Sequence, residues 1–321
     1  MTVISLGGVM SGGVAAPAGA PAMGGLVVGL LVVSTLAIVL AGRRRERVAA
    51  GGGGAGGYHA FLLARDGEAD LLRHTLSRRE AFFARLAREP VRSRLPLDRA
   101  TFLRNLARRR PEPGLDDRML WLLATAKANQ AERFGVGLAE LYGKLDPDDP
   151  VRVRIALQEH YHTRLLADAV ALFGLPVHAR PPALAARAIV KLLVATPDRW
   201  NLPLAGFAEM AGCVLFRALR DRGLALFADE PAVAARIGLL YDEILGDEIG
   251  HVGYIASVLG PRGRSVMRGL YRLLGRRLAT QLPELVALFG RRELVRRFAA
   301  EFRLDEMAAA LPGRAYAAAM I

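Results

Sequence analysis

Two short stretches, Glu159-x-x-His162 and Glu248-x-x-His251, constrain this chain more than any other feature. A Glu and a His three positions apart share one face of an α-helix, roughly one turn apart. Both side chains can then reach one metal ion. With six histidines in the chain and Glu at about one residue in twenty, chance supplies about 0.3 such pairs. Two pairs point to a fold that brings two helices face to face. A four-helix bundle does this. If each of two further helices adds one Glu, the result is the ligand set of a carboxylate-bridged pair of metal ions.

The rest of the chain suits helices. Ala, Leu and Arg recur throughout, and period-two runs rich in Val, Ile, Thr and aromatics are nearly absent. The expectation is an all-α protein. At 321 residues the chain can bury a large core. Cys213 is the only cysteine, so no internal disulfide can form and a reducing compartment is the simpler reading. The formal charge of +13 is carried almost wholly by arginine, since Lys127, Lys144 and Lys191 are the only lysines. No zinc finger, RRM-like or KH-like motif accompanies that charge, so nucleic acid is not expected as a partner.

Residues 1–42 contain no charged side chain, and 22–41 form an apolar run about long enough to cross a bilayer. Arg43-Arg44-Arg45 follows at once. Positive charge after the run, and none before it, predicts a transmembrane helix with its N-terminus outside and the main domain in the cytoplasm. Residues 1–47 are therefore read as lead and anchor, and the Gly-rich stretch 48–57 as a flexible linker. Residues 58–116 read as flanking helices without a ligand constellation, with one helix from Tyr58 to about Glu89 stopped by Pro90.

Residues 117–260 read as the bundle. Its first helix, about Asp117 to Lys144, holds Glu132 and Glu140. The turn at Asp146-Pro147-Asp148-Asp149-Pro150 leads into a second helix, about Val151 to Phe173. Counted from Pro147, Glu132 stands at nearly the height of Glu159, whereas Glu140 is roughly 7 Å off level at 1.5 Å per residue. Glu132 also lies in a stripe of small and apolar residues. It is the better ligand, with Glu140 as the alternative. A crossover with an extra helix, about Pro182 to Ala195, leads to a third helix, about Leu202 to Arg222. Glu209 is the only charged residue in the first part of that helix. A carboxylate on a fully apolar helix cannot be buried ionised without a partner or a metal. The fourth helix, about Pro231 to Leu259, carries Glu248 and His251. Residues 261–321 form a basic helical tail, in which Arg268, Arg272 and Arg276 recur every four residues. That face suits either solvent or anionic lipid.

With Glu132, Glu159-x-x-His162, Glu209 and Glu248-x-x-His251 in place, residues 117–260 resemble the ferritin-like di-iron carboxylate superfamily. That group includes monooxygenase hydroxylases, the ribonucleotide reductase small subunit and acyl carrier protein desaturases. The resemblance implies a ferritin-like four-helix bundle holding two iron ions, with manganese as the alternative. It makes Glu132 and His162 terminal ligands of one ion, Glu209 and His251 terminal ligands of the other, and Glu159 and Glu248 the bridges. It gives Asp247 the task of orienting His162 through the outer ring nitrogen. The matching position for His251 is Gln158, a departure from the symmetric acid pattern. It places Cys213, four residues after Glu209, in an oxygen pocket whose apolar lining includes Phe207.

The function implied is oxidation of a small, apolar organic substrate with O2. The sequence has no flavin, nicotinamide or iron–sulfur motif, so electrons would come from an external donor protein. Iron or manganese handling without an organic substrate is the alternative, followed by a non-enzymatic helical scaffold with a degenerate site.

Overall fold

A computed structural model describes residues 54–141, 149–177, 198–279, 282–300, 302–311 and 313–316. The apolar run 22–41 and the extra helix expected over 182–195 lie outside the described residues.

The described chain is overwhelmingly helical, as its composition implies. Helix α1 (Gly54–Asp66) begins inside the stretch expected to be linker. A two-stranded antiparallel hairpin follows, β1 (Ala69–Asp70) and β2 (Thr75–Leu76). Helix α2 (Ser77–Arg88) comes next. The single helix expected from Tyr58 to Glu89 is thus two. The break has local causes. Gly67 turns the chain at φ 71°, a conformation that costs glycine little. The Asp70 carboxylate then accepts the backbone N–H groups of Leu72 and Arg73 and tightens the hairpin turn.

Helix α3 (Arg99–Ala107) is capped by the Asp98 side chain. Four long helices follow: α4 (Asp117–Leu141), α5 (Pro150–Ala171), α6 (Asp198–Leu226) and α7 (Pro231–Ala279). The Asp149 side chain accepts the N–H of Arg152 to cap α5, with Pro150 in its first turn. Helix α6 is longer at both ends than expected and takes Pro203 inside it. Helix α7 does not stop near Leu259. It breaks at Gly260 (φ 64°, ψ −177°) and continues to Ala279. Three short helices close the described chain: α8 (Pro283–Phe289), α9 (Arg291–Ala299) and α10 (Leu304–Ala309).

Each long helix packs on two others, in the ring α4–α5–α7–α6. The core between them is built from Trp121, Leu122, Leu165, Leu166, Phe207, Phe216, Tyr241 and Ile244, all buried. A fully buried side chain of this kind stabilises by about 1.5–3 kcal/mol. Helix α1 lies across α5 and α7 and buries Tyr58, Leu62 and Asp66 along one face. The longer α6 also settles the levels of its ligands. Glu209 lies seventeen residues before Leu226, and Glu248 seventeen after Pro231, so the two carboxylates meet at one height across the α6–α7 turn.

One described stretch, Leu202–Leu226, is long and apolar enough to cross a bilayer, but it is mostly buried among the other helices.

Candidate metal centre

At the centre of the ring each long helix contributes one of two elements. Helix α4 brings Glu132 and α6 brings Glu209; α5 brings Glu159 and His162, and α7 brings Glu248 and His251. Glu159, Glu209, Glu248 and His251 each present a ligand atom, all lying within 4.8 Å of one another. Glu132, Glu159 and His162 form a second group under the same limit. Glu159 belongs to both. The six side chains are between 0% and 9% exposed. The side chain of Glu140 lies outside the described residues.

The two imidazoles point the same way. His162 turns Nδ1 inward, 3.3 Å from Glu159 Oε2 and 3.4 Å from Glu248 Oε1. His251 turns Nδ1 inward, 3.1 Å from Glu159 Oε1 and 3.4 Å from Glu209 Oε2. Their outer nitrogens are taken. His162 Nε2–H donates to Asp247 Oδ2 at 3.1 Å. His251 Nε2–H donates to Gln158 Oε1 at 2.9 Å. An acceptor on Nε2 fixes the tautomer in which Nδ1 keeps its lone pair, the form a metal needs.

Gln158 therefore does for His251 what Asp247 does for His162. The side chain of Gln158 is itself held, since its Nε2 donates to Asp66 Oδ2 at 2.7 Å. An acid at position 158 would face that carboxylate.

Asp247 stays charged in the interior because arginines surround it. Arg79 donates to it at 2.6 and 2.7 Å, and Arg65 donates to it as well. Burial would raise its pKa; Arg65, Arg79 and the His162 hydrogen bond overcome this and hold it well below the usual carboxylate range. Arg79 also reaches Glu243 at 2.6 Å, and Arg78 clamps Glu243 with two bonds of 2.8 and 2.9 Å. Arg65 binds Asp66 and donates to the backbone carbonyl of Arg314 at 2.9 Å.

Helices α1 and α2, expected to carry nothing for the site, thus supply its outer layer. The signal was in the sequence. Arg79 falls on the stripe Arg79, Phe82, Phe83 and Leu86, and Asp66 on the stripe Tyr58, Leu62 and Asp66. Each is a charged residue on an otherwise apolar face, a weaker signal than the wholly uncharged stretch around Glu209.

Space is made for Glu248 by Gly212. A Cβ at that position would stand 2.6 Å from Glu248 Oε2, closer than contact allows. Cys213 and Phe207 are both buried, in the same helix as Glu209. Burial, with Glu209 nearby, pushes the Cys213 thiol up, so it stays protonated. His160 is exposed, on another side of α5 from Glu159 and His162.

Four buried atoms of the centre make no hydrogen bond: Glu132 Oε2, Glu159 Oε1, Glu209 Oε1 and His162 Nδ1. All four are lone-pair donors. A buried acceptor left unsatisfied costs about 1–3 kcal/mol. A cation satisfies them together. Four carboxylates also balance two divalent ions to neutrality. The residues present fit a metal centre, and the group Glu159, Glu209, Glu248 and His251 can hold a metal ion.

Protons compensate the charge when no metal does. Burial works against the charged imidazoles, yet Glu159 and Asp247 raise His162 to about 9, and Glu159 and Glu209 raise His251 to about 10. Burial raises Glu159, but the two histidines outweigh it and hold that carboxyl well below its usual range. Burial pushes Glu132 and Glu248 well above theirs, and the neighbouring carboxylates add to it.

No family model, curated protein or solved structure matches this chain.

Proposed function

We propose that this protein is a membrane-tethered oxidoreductase built on a ferritin-like four-helix bundle, oxidising an apolar organic molecule with O2. The observation that carries the reading is the double role of Glu159, which faces both histidines at once. In this reading Glu132 and His162 would hold one ion, Glu209 and His251 the other, and Glu159 and Glu248 would serve both. Two iron ions, or manganese, would supply the electron-transfer chemistry that lets oxygen react with a C–H or N–H bond.

The chain's own residues set the conditions. Asp247 and Gln158 keep both Nδ1 atoms free of protons once the ions bind. Gly212 leaves room for the Glu248 carboxylate beside α6. Phe207, Met210, Phe216, Leu245 and Ile249, all buried, exclude water and suit an apolar substrate. In this reading Cys213, buried one turn beyond Glu209, would line the oxygen pocket. Electrons would come from a separate donor protein. Residues 22–41 would tether the chain, with the bundle on the cytoplasmic side.

The test is metal content and turnover. The full chain, purified in detergent from iron-supplemented medium, is expected to carry about two metal ions and to consume O2 when a chemical reductant is supplied. Glu209→Ala and His251→Ala are expected to lose metal while remaining folded. Unchanged metal content in both variants would sink the site assignment. Two ions bound without reductant-dependent O2 consumption would leave a metal-handling protein.

A further inference from the structure

We propose that Tyr271 holds the one polar end of the substrate, a neutral carbonyl oxygen on an otherwise apolar molecule, at the Cys213 side of the metal centre. The inference rests on the reading of that centre as an oxidase of apolar molecules, and adds the chemical class it takes.

The break in α7 builds the site. A Cβ on Gly206 of α6 would meet both Ile255 and Met267, which stand before and after the break at Gly260. In an unbroken helix twelve residues would separate that pair by roughly 18 Å. The second half of α7 therefore folds back along α6. Tyr271, one turn beyond Met267 on the same face, is buried there. Cys213, two turns beyond Gly206 on the same face of α6, is buried as well. Phenol and thiol are near enough for the charge of Cys213 to act on Tyr271, as that of Glu209 acts on Cys213. Glu209, Cys213 and Tyr271 thus step outward from the centre.

Phe298 of α9 and Phe302 wall the Tyr271 ring, with centroids 6.5 and 5.8 Å away. The hydroxyl is buried and makes no hydrogen bond. A buried tyrosine hydroxyl usually has a partner, as Tyr241 has in Thr125 at 2.8 Å. One without a partner bears the full cost of leaving water. The Tyr58 hydroxyl is unpartnered too, but it lies tight on the backbone at Gly250, where a Cβ would meet it at 2.9 Å. Burial keeps both the Tyr271 phenol and the Cys213 thiol protonated, so both are donors and call for an acceptor. A carboxylate would bring like charge toward Glu209. A carbonyl oxygen offers two lone pairs and no charge. Apolar walls with one or two polar groups that fix orientation are the usual build of a small-molecule site.

The experiment uses the full chain in detergent and two probes, methyl pentyl ketone and the alkene of the same shape with =CH2 in place of =O. Each carries a terminal trifluoromethyl group, so that fluorine NMR resolves bound probe from probe in detergent. The ketone is expected to bind more tightly than the alkene. Tyr271→Phe is expected to weaken the ketone about fivefold, the net worth of one neutral hydrogen bond, and to leave the alkene unchanged. Without probe, Tyr271→Phe should melt no lower than the parent, because the hydroxyl it removes has no partner. A ketone bound no better than the alkene overturns the proposal. So does a ketone affinity that Tyr271→Phe leaves unaltered, or a lower melting temperature of that variant without probe, which would mean that the hydroxyl is already satisfied. Probe binding needs no turnover, so this result is read apart from metal content and O2 consumption, which test the oxidase reading.

Discussion

Glu159 stands between the two histidines of the centre, with Oε2 3.3 Å from His162 Nδ1 and Oε1 3.1 Å from His251 Nδ1. One carboxylate thus serves both halves of the site. Replacing it by Gln keeps the shape, removes the charge and turns an N–H pair toward one imidazole. On the proposed assignment, in which Glu159 serves both ions, Glu159→Gln is expected to lose metal from both positions. Mass spectrometry of metal content checks this. A variant that still held about two ions, the loading this ligand set implies, would show that Glu159 does not bridge.

The stripped protein is expected to lose stability as pH rises. His162 and His251 are raised to about 9 and about 10. Groups raised above their unfolded value of about 6.5 contribute fully below that pH and lose their contribution as pH climbs through the folded values. Glu132 and Glu248, raised by burial, act in the same sense from about pH 4.5 upward. Glu159 is held low and acts oppositely, losing its contribution only in acid. Thermal melts of chelator-treated protein should therefore fall from pH 7 to pH 10, roughly the window these pKa values set. Metal loading releases the imidazole protons, so metal affinity should rise over the same window. A melting temperature of stripped protein that climbs over that range would contradict the assignment.

Gly212 offers a test that touches no ligand. Its missing Cβ leaves room for Glu248 Oε2, which a methyl would meet at 2.6 Å. In a helix interior Gly→Ala is otherwise favourable by about 1 kcal/mol. Gly212→Ala is expected to keep the helices and displace the Glu248 carboxylate, lowering metal content with little change in circular dichroism. Full metal content in that variant would mean that Glu248 can shift without cost.

Much of this arrangement was legible in the sequence because each feature was local. The Glu-x-x-His spacings, the lone Glu209 and the turn before Pro150 all lie within a turn or two of helix. What could not be read was long-range. Asp66 and Gln158 are far apart in the chain, and nothing local says that they meet. The hairpin after Asp66 was hidden for another reason, since a helical pattern on both sides masked the left-handed turn at Gly67. The continuation of α7 past Gly260-Pro261 was hidden because that pair ordinarily ends a helix.

Arg79 gives the outer layer a measurable weight. It is fully buried and divides its guanidinium between Glu243 and Asp247. Removing one partner from a buried ion network typically costs about 3–5 kcal/mol. Arg79→Met is expected to cost that much in chemical denaturation and to weaken metal binding through His162. An unaltered unfolding midpoint would place the network outside the folding balance.

Gln158 decides whether the departure from a symmetric acid pair is a defect or a fitted part. Its Oε1 accepts from His251, and its Nε2 donates to Asp66. An amide does both without taking up a proton. Glu at this position would be the better partner for an imidazole taken alone, but it would set two carboxylates against each other in the interior, and one would have to take up a proton. Gln158→Glu is therefore expected to destabilise the protein by about 1–3 kcal/mol, the cost of an unmatched buried polar contact, and to weaken metal binding. Asp66→Asn restores a donor opposite position 158. The double variant should then recover metal content beyond what the two single effects would sum to. Strictly additive losses would mean that Asp66 and Gln158 act on the site separately, and that Gln158 is not what ties His251 to α1.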